Sequence, residues 1–168
     1  MPKLLLDRCR LDSISGFREA ARTRFVDGTA AAELGRRTAA IYLWGYAAEM
    51  TIKAAYFAAT GFEDGRAITI GDLRDAVNSR LASTIDWSGQ GRLHHVPAWA
   101  ELLVELRASD PKLVYADPKF GGEIVGMGRR FRRVWSETLR YHENVAYEHE
   151  VRRIRDAADW FLGHSSIL

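Results

Sequence analysis

Apolar side chains recur every three or four positions through most of this chain, the spacing that gathers them on one face of an α-helix. The first run is Ile14, Phe17, Ala21 and Phe25. Asp12 or Ser13 just before it can cap the exposed backbone N–H groups of a helix start. Gly28 reads as the stop, with Ala30 to Leu34 able to continue or restart the helix. The clearest run extends from Glu33 to Ala59, where Ile41, Trp44, Ala48, Ile52, Ala55 and Ala59 share a broad face that Tyr42, Tyr46 and Met50 widen. A face that wide predicts a central helix touching several neighbours. Gly61 ends it, and 60–65 is a loop.

Thr69 and Asp72 have capping-box spacing ahead of Leu73, Val77 and Leu81, which predicts a short third helix. The polar stretch 82–95 holds Gly89 and Gly91 and reads as a loop. Pro97 suits a first helical position, and Trp99, Leu102, Leu103 and Leu106 give a fourth helix that stops before Pro111. With Pro111, Pro118 and four glycines, 110–128 reads as a long loop, in which 112–115 and 123–125 have the residues for brief strands. Helical spacing returns with Phe131, Val134, Trp135 and Leu139, then with Val145, Val151, Ile154, Ala158 and Phe161, up to Gly163. The phase slips around 141–147, so the end is one bent helix or two. The expectation is an all-α, up-and-down bundle of about five helices, 1–168 forming a single domain.

Composition adds little to this picture. At 168 residues the chain has the length of one ordinary domain, roughly 100–200 residues. Cys9 is the only cysteine, so there is neither an intrachain disulfide nor a cysteine metal cage. The apolar start at 1–6 reads as too short for the core of a signal peptide, and the apolar stretch 38–61 contains Glu49 and Lys53, so it reads as a buried helix and not a membrane span. A cytoplasmic location is the default that follows. The net charge of +2 is mild, but eight arginines face four glutamates between Arg129 and Arg155.

Arg129, Arg130, Arg132 and Arg133 read as the entry to a helix beside Phe131 and Trp135. Guanidinium groups grip phosphate with several fixed donors, so this run is a candidate anion site, with Arg140 added to it. Cations at a helix start oppose its dipole unless an anion compensates, and the plainer reading is a solvated, salt-bridged face. Arg152, Arg153 and Arg155 form a second basic group. Glu49 and Lys53, four apart inside the most apolar helix, are spaced for an ion pair. His94 and His95 are adjacent in a loop, where either an acid–base role or no role fits. His142 and His149 share a helix face, but Leu139 and Ala146 stand where a helical carboxylate site would need Glu, so no metal is expected. The glycines at 121, 122, 126 and 128 match neither the P-loop nor the dinucleotide-binding spacing, and no cofactor is expected.

The segment Ala40-Ile-Tyr-Leu-Trp-Gly-Tyr-Ala-Ala-Glu-Met-Thr-Ile-Lys-Ala-Ala55 resembles the early core helix of HEPN domains, through Gly45, Tyr46, Ala47, Glu49, Lys53 and Ala54. Leu139-Arg-Tyr141 and the helix running on to Ala158 resemble the family's C-terminal part. The resemblance implies a helical bundle, often a homodimer, among RNA-cleaving toxins, defence nucleases and non-catalytic partners of nucleotidyltransferases. Nuclease members carry an arginine followed, after four to six residues, by a histidine. Here only Tyr141 separates Arg140 from His142, and eight residues separate Arg140 from His149. The leading expectation is therefore binding of a partner protein or an RNA or nucleotide phosphate without nuclease activity. The alternatives are an RNA endonuclease with His142 as acid–base catalyst and Arg140 on the phosphate, and a purely structural subunit.

Overall fold

The computed structural model describes residues 12–88 and 91–168. Readings made on residues 1–11 and on Gly89 lie outside these. Among the described residues the chain forms six α-helices and no strand: α1 (Ile14–Glu33), α2 (Arg37–Ala59), α3 (Ile70–Val77), α4 (Val96–Ser109), α5 (Phe120–Arg129) and α6 (Glu148–Gly163). They make an up-and-down bundle, with 3-10 turns at Leu81–Thr84, Arg92–His94 and Glu137–Tyr141. No helix among the described residues is long and apolar enough to cross a membrane.

The caps explain where several helices begin. The Ser13 side chain accepts from the Gly16 N–H at 3.0 Å. At α3 the Thr69 hydroxyl accepts from the Asp72 N–H, while the Asp72 carboxylate accepts from the Thr69 N–H at 2.7 Å.

α1 does not stop at Gly28. It continues to Glu33, and Gly28 serves packing: a Cβ there would lie 2.7 Å from the Trp44 ring. The missing side chain admits the indole, whose Nε1–H donates to the Phe25 carbonyl. Glu33 thus closes α1 and does not open α2. The chain reverses between them at Gly35, whose φ of 70° needs glycine.

α2 is the central helix, packed against α1, α4 and α6. Its apolar face is wider than a single stripe, and even Glu49, Thr51 and Lys53 are buried.

The stretch read as a loop at 110–128 contains α5, which raises the helix count from five to six. Its glycines hid it. They are poor helix formers, yet Phe120, Gly121, Ile124 and Gly128 form its buried face. A Cβ on Gly128 would lie 2.6 Å from that of Ala100, so the glycine permits close approach of α5 to α4.

The second difference lies at 130–147. Phe131 and Trp135 are buried as their spacing suggests, but they sit on turns and not on a helix. α5 has already ended at Arg129, Arg133 turns the chain further with a φ of 62°, and Val145 is exposed ahead of α6. This strap is pinned at both ends. The Trp135 Nε1–H donates to the Tyr42 carbonyl at 3.0 Å, its ring lying against Gly45. Asn144 accepts from the Thr38 N–H and donates to the Gly35 carbonyl, and the Thr38 hydroxyl accepts from the N–H groups of Val145 and Ala146.

Candidate functional site

The strap carries the arginines, and its turns separate them. Arg129 closes α5, so its charge and that of Arg130 lie at the helix C-terminus, where the dipole favours cations. The sequence reading, which placed them at a helix start, had the opposite sign. Arg129 pairs with Glu101 at 3.3 Å, and Arg132 with Asp86 at 3.4 Å. Among the described residues no carboxylate lies within ion-pair reach of Arg130 or Arg133.

Arg132 and Arg133 line an open cleft of about 440 Å³, together with Ser88, His95, Trp135 and Ser136. His95 is fixed within its wall. Its Nδ1 accepts from the Ala98 N–H at 3.0 Å, which caps α4, and its Nε2–H donates to the Ser88 carbonyl at 3.0 Å. Both ring nitrogens are thereby used in holding the wall, so His95 has a structural place there. Asp86 accepts from Ser88, and those bonds hold its carboxyl below the ordinary carboxylate range, with Arg132 adding to the effect.

A second group of polar residues runs from the interior outward along α2. Glu49 is 2% exposed and accepts from Lys53 Nζ at 2.5 Å and from His94 Nδ1 at 3.1 Å. This bond from Nδ1 turns the half-buried His94 ring toward α2. Tyr46 packs edge-on against His94, Trp135 and Tyr42. Burial pushes its phenol up, the Glu49 charge adds to this, and Arg140 opposes it. Arg140 is exposed on the last 3-10 turn; the nearby Tyr42 and Tyr141 phenols push its already high value up, and its guanidinium lies 4.7 Å from the Tyr141 ring centre. The Glu49–Lys53 pair, read alone in the sequence, thus extends through His94 to the rings of Tyr46 and Tyr42.

Compared with protein-family models, curated proteins and solved structures, the chain matches none. The chemistry therefore rests on the geometry.

Arg140 and His142 are both exposed, and neither lines the cleft. Among the described residues the His142 ring makes no hydrogen bond, ion pair or ring contact. Among the described residues no group of three or more His, Cys, Asp or Glu side chains is placed to hold a metal ion. Sequence reasoning missed the roles of Ser88, Asp86 and Ser136, which come from separate segments and carry no local signal. The cap by His95 had one: it stands at the start of a helix whose first turn contains Pro97.

Proposed function

We propose that this chain is a HEPN-like helical protein that binds a phosphate-bearing ligand, a nucleotide or RNA, in the cleft of Arg132 and Arg133, without cleaving it. The observation that carries the reading is Arg133. It is the one non-glycine residue with positive φ among the described residues, its guanidinium has no described acidic partner, and it lies on the cleft wall. A left-handed backbone costs an ordinary residue roughly 1–2 kcal/mol, and such strain gathers at functional positions. Ser88 and Ser136 line the cleft beside it, the Ser136 hydroxyl sharing a hydrogen bond with Thr138 at 2.6 Å. A cleft of about 440 Å³ falls within the usual small-ligand range of about 300–1,000 Å³.

The test separates binding from folding. Arg133→Gly relieves the backbone and removes the charge, so it should fold at least as stably as wild type, gaining up to about 1 kcal/mol. It should also lose affinity for adenosine 5′-monophosphate and for a short single-stranded RNA. Wild-type affinity should fall as salt rises. No binding by wild type at low salt refutes the reading, as does unchanged binding by Arg133→Gly. The RNA should be recovered intact after incubation; cleavage that His142→Ala abolishes would favour the endonuclease alternative.

A further inference from the structure

The strap covers a second cavity on its other side, of about 240 Å³. Ile41, Leu139, Val145 and Ala146 give it an apolar wall, and Glu150 supplies a carboxylate. Arg133, Val134 and Leu139 line both this cavity and the basic cleft. The residue strained into a left-handed conformation is therefore the one at the seam between a polar and an apolar recess.

Two further observations describe the apolar side. Tyr147 lines it, is 67% exposed, and stacks on His149 with centroids 5.8 Å apart and planes 12° from parallel. The rim therefore carries a flat, solvent-facing π surface of the kind on which planar rings stack. The Glu150 carboxylate accepts from the Tyr147 N–H at 2.8 Å, which fixes it at the cavity with acceptor capacity left over.

The geometry points to a bipartite nucleotide site, in which Arg133 holds the phosphate and the apolar cavity beyond it, rimmed by Tyr147, takes the base. The inference rests on the phosphate reading of the cleft and narrows it to a ligand carrying both a phosphate and a planar ring. An exocyclic amine on the base, as in adenine, would find its acceptor in Glu150. A bare phosphate or sugar phosphate would fill the polar recess alone.

Isothermal titration at low salt with adenosine 5′-monophosphate, ribose 5-phosphate and adenosine tests this on the full chain. Adenosine 5′-monophosphate should bind roughly tenfold or more tightly than ribose 5-phosphate, the gain expected of one stacked base. Val145→Asp, at a position 66% exposed, places a charge in the apolar wall. It should erase that difference; because Arg133 lines the same cavity, the added charge also weakens ribose 5-phosphate binding, so the ratio of the two affinities is the quantity read. Tyr147→Ala should reduce the difference and serves as a second variant should Val145→Asp misfold. Equal affinity for the two phosphates overturns the base subsite and leaves the phosphate reading standing. Failure of both phosphates to bind overturns the two together.

Discussion

An alanine at Gly45 would put a methyl group where the Trp135 indole already lies, because a Cβ built there overlaps Nε1 and Cδ1 of that ring. Trp135 is 1% exposed and its Nε1–H donates to the Tyr42 carbonyl on the same helix. The ring has little room to retreat without losing that bond. Overpacking of this kind costs roughly 1–3 kcal/mol. A buried donor left without its acceptor costs roughly 1–3 kcal/mol more. Against these stands a helix-propensity gain of about 1 kcal/mol for alanine over glycine. The net expectation is a loss of about 1–5 kcal/mol, which for a chain of this size lowers Tm by roughly 2–20 °C. Gly122→Ala is the internal control. It also lies within a helix, but nothing stands within 4 Å of its added Cβ, so it should be neutral or stabilising by up to about 1 kcal/mol. Urea denaturation followed by far-UV circular dichroism measures both. If Gly45→Ala came within about 0.5 kcal/mol of wild type, a range usual for substitutions that touch nothing, the close approach of strap and helix would be wrong.

Two other perturbations follow from the polar groups. Glu49→Gln leaves the Lys53 ammonium buried without a countercharge and should cost roughly 3–5 kcal/mol in denaturant, whereas the double change to Met at both positions should lose far less; additive losses would refute the buried pair. Asp72 is held below the ordinary carboxylate range by its bonds from Thr69, so its contribution is present above that range and lost as pH falls through the depressed value; Asp72→Asn should flatten the acid limb of Tm against pH, and parallel curves would refute the assignment.

Much of the fold was legible because periodicity and caps agreed. Ser13, the Thr69–Asp72 box and the broad face of α2 each predicted what they form. Glycine misled in two places. At Gly28 and in α5 it marks where another side chain or helix comes close, and propensity alone cannot distinguish that use from a stop signal. At 131–135 the four-residue spacing of Phe131 and Trp135 was real, but turns produce it as well as helices do. The arginines of the cleft were visible in the sequence, whereas Ser88 and Asp86 were not assigned to it, because the cleft wall joins segments more than forty residues apart. The wide apolar face of α2 announced a central helix, but nothing local says that His94 reaches Glu49 and Tyr46 on it.

The clasp of Thr38, Gly35 and Asn144 ties together positions more than a hundred residues apart. Closing so long a loop is entropically slow, and nothing rewards it until the first two helices have already paired. The arginine-bearing strap is thus a late arrival in assembly, and its amides should exchange with solvent deuterium sooner than those of the central helix. A chain caught before that closure would have most of its scaffold and no arginine-lined cleft.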